Sequence, residues 1–212
     1  HHALEREIAA DIAEQRARMS GLRLDRERAR READQFRAET RELADAVERD
    51  SLTGIGNRRA FDRALGALLS QGETRCTLAL IDCDHFKAVN DGHGHHVGDA
   101  VLQAVAQRLV TNAREGDHVG RLGSDEFVVI AEPVSGVEEA MGLAQRILAA
   151  IAVAVPSHEA AISTTASIGI AVANGIDLTA DELIRDADLA VDRAKSHGPG
   201  SIEICNEDLR NE

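Results

Sequence analysis

The order of apolar patterns from residue 51 onward constrains the fold of this 212-residue chain more than any other feature. Short β-rich runs predict strands at 76–83, 118–122, 126–131, 163–173 and 201–205. Windows with helical periodicity lie at 57–70, 98–114, 136–153 and 179–196. The order strand, helix, hairpin, helix and strand predicts an α+β fold, a ferredoxin-like palm with a βαββαβ core, extended by one helix and one strand. Because this arrangement carries many functions, the function has to be argued from the site.

The N-terminal segment has a different composition, with 11 Arg and 13 Asp or Glu but no Pro in residues 1–50. Apolar residues recur at alternating steps of four and three from Ile8 to Val47, interrupted by Gln15, Arg26 and Thr40. This heptad pattern predicts a long coiled-coil helix over 1–49 that pairs with a second copy of the chain, and a folded domain over 50–212. A long helix folded back on its own domain is the alternative.

Charge and composition exclude several classes of protein. The net charge of −13 repels a phosphate backbone, and four Phe with no Tyr or Trp leave little aromatic surface for stacking on bases, so we expect no nucleic-acid partner. The longest strongly apolar stretch, 147–155, is too short to span a bilayer, so we expect no membrane partner for this chain. Three cysteines without metal-type spacing favour a cytoplasmic location.

Acidic residues stand at the ends of two predicted strands. Asp82 and Asp84 close an apolar strand and share one of its faces, and Asp125 and Glu126 stand at the tip of the predicted hairpin. If the two strands are neighbours, as the predicted fold requires, Asp82 and Asp125 converge. Crowded carboxylates repel one another unless a cation joins them, and oxygen ligands favour Mg²⁺ or Mn²⁺. Solvated strand ends are the alternative interpretation.

The chain contains only two lysines, Lys87 and Lys195, and both fall beside predicted strand ends. A lysine ammonium in such a place can bind a phosphate as a point charge, although an arginine-rich composition leaves few lysines anywhere. Between them, a glycine-rich turn at 90–99 (NDGHGHHVGD) opens a helix. Asn90 and Asp99 together offer donors and acceptors that could recognise a guanine edge. A zinc site built from the histidines and an ordinary helix-capping loop are the alternatives.

These residues, taken in order, resemble the GGDEF-domain diguanylate cyclases over residues 50 to about 205. The matching segments are 50–59 (DSLTGIGNRR), 82–87 (DCDHFK), 90–91 (ND), 94–95 (GH), 98–99 (GD) and 123–127 (GSDEF). The family's late A-K element falls at 188–195. The resemblance implies a nucleotidyl-cyclase-like catalytic domain over 50–212, with residues 1–49 as a signalling and dimerisation helix.

The resemblance also implies a reaction and a set of roles. Two GTP molecules, one on each of two facing domains, would be joined into cyclic di-GMP with loss of two pyrophosphates. The implied Mg²⁺ or Mn²⁺ ligands are Asp82, the Cys83 carbonyl, Asp125 and Glu126. The implied catalytic residues are Asp125, Glu126 and Lys87, with Glu126 helping to bind metal or to deprotonate the 3′-hydroxyl. The implied nucleotide contacts are Cys83, Phe86, Lys87, Asn90, His95, Asp99 and Lys195.

A regulatory site is expected at 114–117 (REGD), which matches the family's R-x-x-D product-inhibition motif in type and in its spacing from the hairpin. Arg114 and Asp117 would bind cyclic di-GMP there, and an exposed ion pair at a helix end is the alternative. The chain departs from the family pattern at Ser124, Asp192 and Pro199. These departures support a second hypothesis, a catalytically impaired receptor that binds cyclic di-GMP through Arg114 and Asp117. A purely structural coiled coil with an inert cap leaves the ordered motifs unexplained.

Overall fold

The computed structural model describes residues 30, 31, 33, 35, 36, 47–70, 75–134, 136–156, 161–174 and 179–210. The chain divides into two compact units, His1–Val47 and Glu48–Glu212. In the first unit, the six described residues are helical and exposed. The coiled coil predicted for 1–49 lies almost entirely outside the described residues and stays a prediction.

The second unit is built on a six-stranded sheet. Its strands are β1 (Gly56–Asn57), β2 (Arg75–Cys83), β3 (His118–Arg121), β4 (Glu126–Ala131), β5 (Ala166–Asn174) and β6 (Ile202–Ile204). The spatial order is β1-β3-β4-β2-β5-β6. Strand β2 is antiparallel to both β4 and β5, and β3 with β4 forms the predicted hairpin. The central order β3-β4-β2-β5 is that of a ferredoxin-like palm, so the predicted α+β class and strand order are confirmed.

Six helices connect and flank these strands in the described residues. They are α1 (Arg58–Leu69), α2 (Phe86–His93), α3 (His95–Asn112), α4 (Val137–Ile151), α5 (Ala180–His197) and α6 (Glu207–Arg210). The sequence predicted α1, α3, α4 and α5 but read 90–99 as a turn, whereas most of this segment is helical. Gly94, with φ of +84°, separates α2 from α3, and this left-handed conformation suits glycine. None of the described helices combines the length and the apolar character needed to cross a membrane.

Apolar side chains cover both faces of the sheet. Helices α3 and α4 pack on one face, where Ile81 and Cys83 of β2 belong to the core. Helices α1 and α5 pack on the other face, where Leu78 and Leu80 of β2 are buried. Because β2 is buried on both sides, its sequence is a nearly continuous apolar run instead of an alternating one. Asp82 is therefore held at the end of a strand that is buried on both faces.

Helix α6 contacts α5 through an ion pair between Arg210 and the buried carboxylate of Asp186. Nε and one terminal nitrogen of Arg210 both donate to Oδ2 of Asp186, at 2.8 and 2.5 Å. The Asp186 side chain is 1% exposed, whereas that of Arg210 is 38% exposed. A buried carboxylate is costly without a partner, so Arg210 stabilises the inner face of α5, the helix that also carries Lys195.

Candidate active site

The acidic strand ends predicted from the sequence lie next to one another. In the antiparallel β2–β4 ladder, Asp82 is directly opposite Glu126. One residue further, the backbone N–H of Cys83 donates to the carbonyl oxygen of Asp125 at 3.0 Å. Side chains directly opposite in such a ladder have Cβ atoms about 5 Å apart. The register of the central strands therefore brings together three of the four predicted metal ligands and the backbone of the fourth, Cys83.

Asp82 is surrounded by charge. Partial burial raises the pKa of its carboxyl group, the hydrogen bond and positive charge of Lys195 lower it, and the charges of Asp125 and Asp84 raise it again, with a net increase. Lys195 donates to Oδ2 of Asp82 at 2.7 Å from the last turn of α5. These interactions show that the carboxylates of the two strand ends are close enough to repel one another and that a cation already stands beside them.

Lys195 is charged in this setting. Desolvation lowers the pKa of its ammonium, but the hydrogen bond and charge of Asp82, followed by the charges of Asp192 and Asp125, outweigh it and raise the pKa. The position of Lys195 beside Asp82 is a long-range contact between residues 113 apart in the chain. The sequence placed this lysine near a strand end but did not identify its partner.

Cys83 has a side chain and a backbone with different roles. Burial, together with the charges of Asp125, Asp82 and Asp84, raises the pKa of the Cys83 thiol to about 12. The thiol is therefore protonated at neutral pH and belongs to the core, so only the carbonyl of this residue is available as a ligand.

Asp84 differs from the other acidic residues because both of its carboxylate oxygens already accept hydrogen bonds from the protein. It accepts hydrogen bonds from Thr165 Oγ1 at 2.5 Å, Ser167 Oγ at 2.7 Å and the backbone N–H of Gly200 at 2.8 Å. These partners come from β5 and the segments next to β5 and β6. Asp84 thus joins the loop after β2 to the start of β5 and to the segment before β6, and this role is structural.

The hairpin tip accommodates its departure from the family pattern. Among the described residues, His85 is the one non-glycine residue with positive φ, so Ser124 adopts an ordinary backbone conformation. Its hydroxyl donates to Oδ1 of Asp125 at 2.5 Å, and its carbonyl accepts from Arg121 at 2.7 Å. At Gly123, a Cβ atom would lie 2.6 Å from Oε2 of Glu126. A side chain at Gly123 would thus displace the Glu126 carboxylate, while the serine hydroxyl orients Asp125.

Five of the seven predicted nucleotide-contacting residues lie on α2 and α3, whereas Cys83 is on β2 and Lys195 is on α5. Phe86 packs into the core, which leaves its backbone for a ligand, whereas Lys87 is exposed. Asn90 lies against Gly98, where a Cβ atom would come within 2.0 Å of Asn90 Oδ1. His95 and Asp99 are exposed on the first turns of α3. The close approach at Gly98 therefore places the Asn90 amide next to the turn of α3 that carries Asp99.

The predicted regulatory residues also interact with each other. The backbone N–H of Arg114 donates to Oδ2 of Asp117 at 2.7 Å, and the guanidinium of Arg114 donates to Oε1 of Glu139 on α4 at 2.6 Å. Arg146, on the same helix, lines the small pocket beside them. Glu139 and Arg146 were not identified from the sequence, although their spacing of seven residues places both on one face of α4.

Comparison with known proteins identifies the family of this chain. The model of the GGDEF domain, described as diguanylate cyclase, matches residues 47–201, which include every predicted site residue. The chain belongs to the GGDEF-domain family of diguanylate cyclases. The match spans strands β1 to β5, the acidic strand ends and the segment 114–117.

Two curated relatives come from Pseudomonas aeruginosa. The chain is 38% identical to diguanylate cyclase TpbB over 171 residues, covering 79% of this chain and 39% of TpbB. It is 36% identical to diguanylate cyclase DgcP over 161 residues, covering 74% of this chain and 24% of DgcP. The chain thus spans less than half the length of these relatives.

Solved structures show the same fold. The isolated GGDEF domain of TpbB (YfiN) from Pseudomonas aeruginosa superposes with a TM-score of 0.71 at 33% identity, covering 77% of this chain and 97% of that one. Diguanylate cyclase SiaD from the same organism, solved with its activator SiaC, has a TM-score of 0.76 at 31% identity, covering 96% and 79%. The coiled coil and GGDEF domain of DgcB from Caulobacter crescentus, solved with c-di-GMP, gives 0.75 at 25% identity, covering 82% and 93%.

This GGDEF domain has a second set of charged residues beside the acidic strand ends. A pocket of about 390 Å³ on the α1 and α5 side contains Asp82, Glu126 and Lys195. Arg58 of α1 and the acidic pair Asp188 and Asp192 of α5 complete its charged lining. Desolvation and the charge of Asp192 raise the pKa of Asp188, while Arg58 lowers it. Arg58 and Asp188 were not identified as site residues, although the spacing of four residues on α5 is a signal for a shared face.

The donor set of the acidic strand ends suits a hard divalent cation. The described residues contain no cluster of three His, Cys, Asp or Glu side chains already arranged around one point. Asp82 and Asp125 supply coupled carboxylates, and Cys83 supplies a carbonyl, so every available ligand atom is oxygen. Oxygen ligands of this kind fit a hard divalent cation, and the choice of Mg²⁺ or Mn²⁺ stays a prediction.

Proposed function

We propose that this GGDEF domain condenses two GTP molecules into cyclic di-GMP with release of two pyrophosphates. The observation that carries the proposal is the convergence of Asp82, Asp125 and Glu126 at one end of the sheet, with Lys195 in contact with Asp82. Phosphoryl transfer depends mainly on positioning and on electrostatic stabilisation. This arrangement supplies carboxylates for a cation and an ammonium for phosphate oxygens.

The proposed roles of the site residues are to bind the metal ion and the nucleotide, to orient other side chains and to accept a proton. Asp82, the Cys83 carbonyl, Asp125 and Glu126 would hold Mg²⁺ or Mn²⁺, which supplies charge neutralisation for the triphosphate when bound. Ser124 orients the Asp125 carboxylate, and the exposed Glu126 carboxylate accepts the proton of the attacking 3′-hydroxyl. Lys87 and the Phe86 backbone contact phosphates, and Lys195 contacts the terminal ones. Asn90 and Asp99 recognise guanine, with His95 close to the nucleotide.

The reaction requires two copies of the domain. One GTP-loaded domain supplies only one attacking hydroxyl and one α-phosphorus, so two domains have to face each other to form both new bonds. We propose that residues 1–49 form a coiled coil that holds the two domains together and transmits a signal. The heptad pattern supports this, as does the similarity to DgcB, which was solved as a coiled coil with a GGDEF domain.

Incubation of the purified chain with GTP and Mg²⁺, followed by chromatography, tests the proposed reaction. We expect cyclic di-GMP and pyrophosphate in a ratio of one to two, with a rate per domain that rises with protein concentration in the range where the dimer forms. Absence of product at high protein concentration, together with tight binding of added cyclic di-GMP, would establish the receptor hypothesis instead.

Replacing Gly98 with alanine tests the guanine-recognition role of Asn90. The new methyl group would lie 2.0 Å from Asn90 Oδ1 and 3.1 Å from Cζ of Phe86, so both side chains have to shift, and Asn90 has to shift further. We expect the fold to survive and the KM for GTP to rise about tenfold, because one or two hydrogen bonds to the base are lost. The control is Gly66→Ala on α1, where a Cβ atom meets nothing within 4 Å. An unchanged KM in the folded variant would contradict the assignment of Asn90.

We further propose that cyclic di-GMP inhibits its own synthesis through Arg114 and Asp117. The 2.6 Å ion pair with Glu139 holds Arg114 beside Asp117 and the pocket that Arg146 lines. Arg114→Ala removes charge-assisted hydrogen bonds to phosphate or guanine, so we expect the inhibition constant of added product to rise about 30-fold. Initial rates at several product concentrations measure it, with the exposed Arg185→Ala as the control. Equal inhibition of both variants would exclude this site.

A further inference from the structure

Lys195, which is proposed to bind the terminal phosphates, is in contact with Asp82, which is proposed to bind the metal ion. The ammonium donates to Oδ2 of Asp82 at 2.7 Å, and the two residues are 113 positions apart in the chain. The Asp82 side chain is 18% exposed and that of Lys195 is 44% exposed. An ion pair that is partly removed from water retains more of its attraction than one on the surface. Lys195 thus occupies one of the two carboxylate oxygens that a cation would use.

The surroundings of the pair explain why the lysine is held there. Asp125 and Asp84 both add negative charge at Asp82, and the hydroxyl and amide donors around Asp84 are neutral. Among the described residues, Lys195 is the cation within ion-pair distance of Asp82. The positive charge of Lys195 therefore offsets the repulsion between these carboxylates, as the charge of a bound metal ion would.

A second carboxylate, that of Asp192, lies near the Lys195 ammonium. Asp192 lies three residues earlier on α5, on the neighbouring part of the same helical face, and its charge acts on the ammonium. Both residues line the pocket of about 390 Å³ beside Asp82. An ammonium that leaves Asp82 thus remains next to a carboxylate, and a triphosphate in the site offers it additional oxygens.

We propose that Lys195 is a built-in counterion that blocks the metal-ligating carboxylate of Asp82 in the nucleotide-free domain and is withdrawn when the triphosphate binds. This inference rests on the proposed function, because it takes Asp82 to be a metal ligand. Its consequence is that the empty domain binds divalent cations weakly. The full ligand set becomes available only when a nucleotide is present to accept the lysine.

Binding of Mn²⁺ without any nucleotide tests the inference. The free-ion signal in electron paramagnetic resonance, measured as the ion is titrated into the full chain, gives the dissociation constant directly. We expect Lys195→Met, and equally Lys195→Gln, to bind Mn²⁺ at least about tenfold more tightly than the parent chain, because a direct competitor for Asp82 is removed. Thermal unfolding of each variant verifies that it is folded.

The matched control is Arg58→Met, which removes a positive charge from the same pocket without removing the contact to Asp82. We expect this variant to bind Mn²⁺ less than about threefold more tightly than the parent chain, because solvent partly screens the effect of removing a charge that does not contact Asp82. Equal gains for Lys195→Met and Arg58→Met, or no gain for either, would overturn the inference. Synthesis of cyclic di-GMP by the parent chain is measured in parallel. The Mn²⁺ titration then tests the counterion role of Lys195, and the product assay tests the proposed reaction independently.

Discussion

Replacing Asp125 with alanine is expected to reduce the rate of cyclic di-GMP formation by about 1,000-fold, the magnitude associated with losing a preorganised electrostatic group. The backbone of Asp125 is fixed by the hydrogen bond from Cys83 at 3.0 Å, and its carboxylate is oriented by the Ser124 hydroxyl at 2.5 Å. The backbone contact survives the substitution, so the loss is confined to one carboxylate beside Asp82. We therefore expect a folded but nearly inactive protein.

Initial rates at saturating GTP and Mg²⁺ measure the effect of Asp125→Ala, and a second variant, Asp125→Asn, separates charge from shape. The asparagine keeps the size of the side chain and an acceptor for Ser124, so a low rate in both variants shows that the negative charge is required. Asp62→Asn, an exposed substitution on α1, is the control and should leave the rate within about twofold. Activity of Asp125→Ala comparable to that of the parent would rule out the proposed active site.

Replacing Gly169 with alanine is expected to destabilise the domain by about 3 kcal/mol, at the upper end for overpacking. A Cβ atom on this residue of β5 would lie 2.3 Å from the carbonyl oxygen of Ala187 and 2.3 Å from the backbone nitrogen of Val191. Both clashing atoms belong to the backbone of α5, so no side-chain rotation relieves them. The helix has to move away from the sheet and lose part of its buried apolar contact.

Denaturant unfolding monitored by circular dichroism measures the effect of Gly169→Ala. We expect a lower midpoint with an unchanged m-value, or a fall in Tm of roughly 6–12 °C for a domain of this size. The control is Gly142→Ala on α4, where the nearest atom is the end of the Arg146 side chain at 3.7 Å and the higher helix propensity of alanine is mildly stabilising. Unchanged stability of Gly169→Ala would show that α5 does not pack as closely on β5 as described.

Much of the fold follows from local patterns in the sequence. Strand β2 is marked by its apolar run, and the hairpin by two short β segments around 123–125. Helices α4 and α5 begin and end within two residues of their predicted limits. The first helical turns of 90–99 were missed because glycine and histidine disfavour helix, and the packing of Phe86 in the core outweighs that propensity. Strand β1 has only two residues, too few for a periodic signal.

The site was predictable where it depends on local order and not where it depends on distant partners. The strand ends at Asp82 and Asp125 were predicted to converge because the fold plan makes β2 and β4 neighbours. The separate role of Asp84 depends on Thr165 and Gly200, which are 81 and 116 residues away. The contact of Lys195 with Asp82 depends likewise on how α5 returns over the sheet. Such pairings are set by tertiary packing, for which a single sequence carries no direct signal.

The three hydrogen bonds to Asp84 have a consequence for the order in which activity arises during protein synthesis. The acidic residues of β2 and the hairpin lie between positions 82 and 126, but the donors that shape the loop after β2 include Gly200, which is synthesised much later. On the ribosome, a growing chain thus carries the proposed cation ligands long before that loop is held in place. The proposed cyclase activity is therefore expected to begin only after nearly the whole domain has emerged.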